Sequence, residues 1–401
     1  MPGPPPGPAG DRIAGNLAAF TADPLGFLAR CSREHGDVVS IGSRNVLLTA
    51  PDDVERVLVD RAGEFAKSSP RTRRRARKQG FPRATMNSDG AVWRSKRARL
   101  GPVFARGLVV LAAETAGAEA RRIAWPEGAE FDPAPAAARL ALRSITFLLF
   151  GAAASDRDAD AVGRLVHEIM DLSVSPYVLP SWVPTPGALR MRRALRDVSE
   201  VVAKARRGDA PVLSALAGAD DDEMRDELAT LVLSGYETTK NAILWTLHLL
   251  AAHPEAADRA AAADSFADAV VREAMRLYPP AWLTSRETLR DVELGGFAVP
   301  ADTTVSVSQW VTHRDPRWYP EPHEFRPERW LTGADRPRGA YFPFGLGPRA
   351  CIGAALATAE AVAAVTCLCA RFRLLPGDAV VRPRPALSLQ PEGLRLRVAV
   401  R

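Results

Sequence analysis

A mainly α-helical fold with a small strand-rich side (α+β) is predicted by three observations. Helical apolar patterns fill most of the first two thirds of the chain. One of them, from about Asp221 to Ala252, is apolar nearly all round, which marks a buried helix. Beyond Pro279-Pro280 the pattern changes to short period-two segments of the kind that form strands.

Taken in order, the chain opens on a Pro/Gly-rich segment (residues 1–20) that is expected to be extended and to run over the surface, because proline fixes φ and removes a donor. A helix follows over Pro24 to His35. Val38-Val-Ser-Ile and Asn45-Val-Leu-Leu-Thr flank Gly42-Ser-Arg and read as a hairpin. Further helices are predicted at Asp52 to Asp60, Gly90 to Phe104, Leu108 to Arg122, Ala134 to Phe150, Asp156 to Leu172, Leu189 to Ala205, Asp221 to Ala252, Pro254 to Ala262, Ser265 to Leu277 and Cys351 to Ala370. Strands are predicted at Val292-Glu-Leu, Phe297-Ala-Val, Thr303-Thr-Val-Ser-Val-Ser and Leu394-Arg-Leu-Arg-Val-Ala-Val. No linker-like break or repeat interrupts residues 1–401, so a single large domain is expected.

Composition sets limits. The 401 residues carry 53 basic and 47 acidic side chains, a net charge of +6, and 47% hydrophobic residues, which excludes disordered and collagenous classes. So modest an excess does not point to nucleic acid. The four cysteines, Cys31, Cys351, Cys367 and Cys369, form no CxxC pair, which favours a reduced compartment, the cytoplasm. The N-terminus lacks a charged start followed by an apolar stretch, so no signal peptide or anchor is expected. The apolar stretch around Ile145 to Ala154 is about half of what a membrane span needs, so no crossing is expected.

The most informative segment is Phe344-Gly-Leu-Gly-Pro-Arg-Ala-Cys351-Ile-Gly353, a glycine-rich loop that delivers one cysteine to the start of a helix. Unsatisfied N–H groups there favour a thiolate. Gly347 and Gly353 are expected to let backbone approach a flat ligand. A lone cysteine is ordinarily structural, but this one sits in Phe-x-x-Gly-x-x-x-Cys-x-Gly, which resembles the haem-binding signature of the cytochrome P-450 family. The resemblance implies that Cys351 is the thiolate ligand of haem iron, in heme b (iron protoporphyrin IX), that Arg349 donates to a haem propionate and that Phe344 packs beside the sulfur.

Other motifs agree in order and spacing. Glu273-Ala-Met-Arg276 is similar to the family's Glu-x-x-Arg, and Phe325-Arg-Pro-Glu-Arg-Trp330 to its Pro-Glu-Arg-Phe segment, with Trp330 replacing phenylalanine. Together they imply a Glu273–Arg276–Arg329 network that holds the cysteine loop. Ser234-Gly-Tyr-Glu-Thr-Thr239 resembles the oxygen-binding kink, which implies that Glu237 and Thr238 organise water and deliver protons to dioxygen; on residues alone, Thr238 could instead bond back to a carbonyl one turn earlier. Trp93-Arg-Ser-Lys-Arg97 matches a propionate-binding helix, and Arg286 falls where the family often places another propionate partner. His313 reads as a hydrogen-bonded structural residue.

The run Arg71-Thr-Arg-Arg-Arg-Ala-Arg-Lys78 is read first as a solvated loop and second as a contact for an acidic or carrier-bound substrate. Arg94, Lys96, Arg97 and Arg99 are expected to steer an acidic redox partner, a ferredoxin or flavodoxin served by its reductase. Leu231, Ser234, Thr238, Ala281, Trp282 and Leu283 are candidate pocket walls for a hydrophobic small molecule, and the segment between Asp156 and Asp220 a candidate lid. Leu179-Pro-Ser-Trp-Val-Pro-Thr-Pro186 and the Trp93 motif look similar to bacterial members acting on terpenoids or lipids. The resemblance thus implies a monooxygenase that inserts one atom of dioxygen into a C–H or C=C bond of a terpenoid, polyketide or fatty-acyl product. The alternatives are a peroxide-driven or non-oxygenating haem-thiolate enzyme and a haem-binding sensor or electron carrier.

Overall fold

The computed structural model describes residues 3–11, 15–67, 81–151, 155–174, 183, 185–205, 210–333 and 335–401. Its backbone divides into two compact units, Met1–Ser69 with Arg272–Ile352, and Pro70–Val271 with Gly353–Arg401. One crossing between them lies inside the helix Asp264–Leu277. Composition therefore shows no linker there.

The first unit is built on a five-stranded sheet in the order Val38–Gly42, Asn45–Leu48, Thr304–Val307, Thr284–Thr288, Phe65–Ala66. The hairpin expected at its edge is present, with Val38 opposite Leu48. Alternation then sorts the side chains: Val46, Leu48, Val305 and Val307 join Val54, Val57, Phe342 and Leu346 in one core, while Val39, Ile41 and Leu47 pack on Phe27, Leu28 and Cys31 of the helix Pro24–His35. The N-terminal Pro/Gly segment lies along this unit, where Ser40 N–H donates to the Pro6 carbonyl at 2.7 Å and Ala298 N–H to that of Gly3 at 3.1 Å.

The second unit is mostly helical. Its longest helix, Asp221–Ala252, is capped by the Asp220 side chain, which accepts from Glu223 N–H, and carries Asp221, Asp222 and Glu223 in its first turn, where the helix dipole favours acids. Gly235 is required by packing: a Cβ there would lie 2.7 Å from Ile145 of the helix Ala134–Phe150. The helix Ala354–Arg371 is long and apolar enough to cross a membrane by length and composition, which the sequence reading overlooked by stopping at Ile145 to Ala154. In this unit it packs on Arg106–Arg122, Pro254–Ala262 and Asp221–Ala252, and it carries a buried acid, Glu360.

Several strands went unpredicted. Arg382–Pro385 and Leu389–Glu392 form an antiparallel hairpin despite Pro383, Pro385 and Pro391, which cannot donate to a ladder and so hid it. Thr284–Thr288 lacks a clean alternation because Arg286 occupies a buried position. The terminal strand begins at Leu396, paired with Phe372–Pro376, and the last helix begins at Ala354 instead of Cys351. Helix Gly90–Leu100 gives way to a 3-10 turn over Gly101–Phe104.

Candidate functional site

In the first unit the cysteine loop is a sequence of tight turns. Gly345 N–H donates to the Phe342 carbonyl at 2.9 Å, Ala350 N–H to that of Gly347 at 3.0 Å, and Cys351 N–H to that of Phe344 at 2.8 Å. Gly345 and Gly347 both have φ of 71°, a left-handed conformation that glycine adopts without strain. Gly347 is also required by packing: a Cβ there would lie 2.6 Å from the Leu58 carbonyl oxygen and the Val59 Cα, so the missing side chain lets the loop lie on the helix Pro51–Val59. The result is an exposed Cys351, while Cys31 and Cys369 are buried. Arg349 is half-buried in the turn Gly347–Arg349.

Behind the loop, Glu273 and Arg276 are completely buried. Arg276 meets Glu273 through Nε at 2.9 Å and Nη2 at 2.8 Å; Arg329 Nε donates to Oε1 at 2.9 Å, Trp330 Nε1 to Oε2 at 2.8 Å and Arg326 N–H to Oε1 at 3.0 Å. The replacement of phenylalanine by Trp330 thus adds a donor. Trp330 packs on Tyr341 with ring centroids 4.4 Å apart, and Phe342 N–H donates to Nε2 of His313 at 2.9 Å. The network therefore reaches the residues immediately before Phe344. His313 is a structural acceptor, as expected, and burial, reinforced by the Arg276 and Arg314 charges, holds its imidazole well below the usual histidine range. Arg286 is buried on the strand Thr284–Thr288 and donates to the Ser285 carbonyl at 2.9 Å. Trp282, expected on a pocket wall, stacks on Phe20 and with Leu283 packs against the Phe27 cluster.

In the second unit the long helix carries the acid–threonine pair. Thr238 Oγ1 donates to the Ser234 carbonyl at 2.6 Å, so the local bond that the residues alone allowed is present. Its proton is committed to the backbone, and its lone pairs remain to accept from water. Glu237 is buried and accepts from Lys240 Nζ at 2.6 Å on Oε2, and from Asn241 Nδ2 at 2.8 Å, Ser388 Oγ at 3.1 Å and Gln390 Nε2 at 2.9 Å on Oε1. Ser388 and Gln390 lie far along the chain, on the proline-rich hairpin, and no spacing in the sequence announced them.

Glu360 was also missed. Ser144 Oγ donates to it at 2.5 Å, and burial pushes its carboxyl up to about 8, partly offset by the Ser144 and Thr239 hydroxyls. The signal was available: Glu360 is the one charged residue in the helix Ala354–Arg371 before its final arginine.

Trp93 and Arg97 are half-buried on the helix Gly90–Leu100, one turn apart. The basic group expected to face a redox partner divides. Lys96 is buried and pairs with Glu223 at 3.3 Å, Arg99 pairs with the same carboxylate at 2.8 Å, and Arg94 stays exposed. Both inner cations share one acid of the long helix, which is why they turn inward. Gly353 precedes the helix Ala354–Arg371, with Phe104 3.9 Å from where its Cβ would be. The run Arg71 to Lys78 and most of Leu179 to Pro186 lie outside the described residues.

The family pattern of cytochrome P450 matches residues 4–263 and 265–398. The chain belongs to the cytochrome P450 family. This P450 is 32% identical to cyclooctatin synthase of Streptomyces melanosporofaciens over 97% of its own length and 94% of the relative's. It is 31% identical to pentalenene oxygenase of Streptomyces avermitilis over 69% of its length and 70% of the relative's. The crystal structure of CYP175A1 from Thermus thermophilus covers 96% of this chain and 98% of its own, with 30% identity and a TM-score of 0.84. The P450 is accordingly an oxidoreductase, a monooxygenase that uses dioxygen, a redox partner and a haem-thiolate cofactor on small hydrophobic substrates.

The residues present fit that cofactor. Among the described residues no three His, Cys, Asp or Glu side chains gather to hold a bare metal ion. A metal that arrives in a macrocycle needs one protein ligand, and an exposed thiol on a braced loop is suited to it.

Proposed function

We propose that this P450 is a heme b monooxygenase that oxidises a C–H or C=C bond of a mid-sized apolar terpenoid, with Cys351 as the proximal ligand. The observation that carries the reading is the exposed Cys351 at the end of a loop tied by three backbone hydrogen bonds. Arg97, Arg286, Arg349 and the Trp93 indole supply donors of the kind two propionates need. Phe344 and Gly353 frame the cysteine in sequence, and Gly347 seats their loop on the helix beneath it.

Haem ligated by a thiolate supplies electron density that favours O–O cleavage. Thr238, its proton held by the Ser234 carbonyl, accepts from a water and orients it. Glu237, held by four donors, is the acid one residue away that replaces the protons consumed. An acid–threonine pair of this kind supports dioxygen chemistry over a peroxide-driven enzyme, a sensor or an electron carrier, none of which consumes relayed protons.

The substrate class is supported by relatives named for pentalenene and cyclooctatin, and by the apolar Leu231 beside Ser234 on the long helix. A ferredoxin or flavodoxin with its reductase is the proposed electron source, and exposed Arg94 is a contact for its acidic surface. Four cysteines with no disulfide among them support a cytoplasmic enzyme. The test is a spectral-shift screen of the ferric protein against terpenes, macrolides and fatty acids. Tight, saturable shifts from cyclic terpenes are expected, and shifts confined to highly polar compounds would overturn the substrate reading.

A further inference from the structure

Glu237 is gripped from two directions. Lys240 and Asn241 come from its own helix, and Ser388 and Gln390 come from the hairpin Arg382–Pro385 and Leu389–Glu392. That hairpin is fastened along one helix face. Ser388 Oγ accepts from Asn241 Nδ2 at 2.6 Å, and the Leu389 carbonyl accepts from Trp245 Nε1 at 3.0 Å. Glu237, Asn241 and Trp245 recur every four residues, so they form one row. Ser388 is 1% exposed and Trp245 1%. Pro383 stands opposite Pro391 and Pro385 opposite Leu389, so the hairpin that presents Ser388 and Gln390 is stiff.

The two carboxylate oxygens are treated unequally. Oε1 receives three donors, from Asn241, Ser388 and Gln390, which exceeds the two lone pairs of one oxygen. Oε2 receives one, the Lys240 ammonium, a point charge on a flexible stem. We infer that Ser388 and Gln390 are positioning residues for the reaction: with Asn241 they saturate Oε1 and so leave Oε2, beside Lys240, as the oxygen through which Glu237 exchanges its proton. A hydronium ion gives its proton to Oε2, forming the carboxyl O–H and releasing water, and the proton leaves from the same oxygen to the water that was deprotonated ahead of it, while Lys240 keeps its three protons. This rests on Glu237 being the proton carrier proposed above.

The experiment uses Gln390→Met, which keeps side-chain length without the amide, and Ser388→Ala as an independent variant. The first readout is the infrared carboxylate band of Glu237 in the ferric resting holoprotein, identified by its loss in Glu237→Gln. Both variants are expected to shift that band, which reports that each donor bonds the carboxylate in the holoprotein. The second readout is hydrogen peroxide released per electron when dioxygen alone is reduced with electrons from a ferredoxin and its reductase; peroxide takes two electrons and two protons per dioxygen, water formation four of each. Glu237→Gln and Gln390→Met should each raise the peroxide share severalfold, and the double variant should raise it no further than Glu237→Gln alone. A raised share in Glu237→Gln with wild-type band and share in both Gln390→Met and Ser388→Ala overturns the positioning role only. An unchanged share in Glu237→Gln overturns the proton-carrier reading itself.

Discussion

Two buried glutamates, one in each compact unit, show how the same side chain serves as a frame in one place and as a working group in another. Glu273 is completely buried and takes donors from Arg276, Arg329, Trp330 and the Arg326 backbone, while Arg276 itself caps the carbonyls of His313, Pro322 and Glu324. Every direction is filled. Glu237 is almost as deeply buried, yet three of its partners are neutral side chains and the fourth is a lysine at 14% side-chain exposure. A paired buried charge whose partners cannot leave rigidifies, and one whose single cation sits near water can exchange a proton.

The contrast is broken most forcefully at the frame. Glu273→Gln removes the charge between two buried guanidiniums and should cost about 3–5 kcal/mol, with loss of bound haem. Equilibrium unfolding in urea checks it; a midpoint within error of wild type would contradict the frame assignment. Glu237→Gln keeps neutral partners that can regroup and should cost under about 2 kcal/mol in the same measurement. A loss as large as that of Glu273→Gln would erase the distinction.

Thr238→Ala sharpens the other side of the comparison. Haem content and substrate-induced spectral shifts should stay at wild-type values while product per electron falls about tenfold, because timed protonation of dioxygen is lost. Unchanged coupling of product to electrons would remove Thr238 from the proposed relay.

A smaller effect is expected from pH. Glu360 is pushed from 4.5 to about 8 in the folded chain, so between those values the unfolded chain gives up a proton that the folded one keeps. Stability contributed by this group therefore falls as pH rises from about 4.5 to about 8. His313 acts in the opposite sense: it stays neutral when folded and takes a proton below its ordinary 6.5 when unfolded, so its contribution is lost as pH falls through that region. Melting temperatures of wild type and Glu360→Gln should diverge progressively from pH 5 to pH 8, with the variant the more stable. A constant gap would mean that Glu360 titrates normally.

What the sequence disclosed follows the same division. Local patterns were readable: the long helix by its all-round apolarity, the hairpin at residues 38–48 by the two apolar runs that flank Gly42-Ser-Arg, and the cysteine loop by its glycines. The Glu273 network was readable because the family resemblance supplied both of its halves. Partners brought together only by folding were not. Ser388 and Gln390 lie on a hairpin whose prolines disguise it, and they meet Glu237 across about 150 residues of chain. Lys96 and Arg99 read as surface charge until Glu223 drew them inward. Gly347 and Gly235 were noticed for the right chemistry-bearing motifs, yet the atoms that demand glycine are Leu58, Val59 and Ile145.

The central claim is that Cys351 is the thiolate that holds haem iron, and the carbon-monoxide complex of the reduced protein tests it most directly. Wild type, and the variants Cys31→Ala, Cys367→Ser and Cys369→Ala, should show the strongly red-shifted Soret band of thiolate ligation, which Cys351→Ala should lose. A band typical of histidine ligation in wild type, or survival of the red-shifted band in Cys351→Ala, would contradict the account.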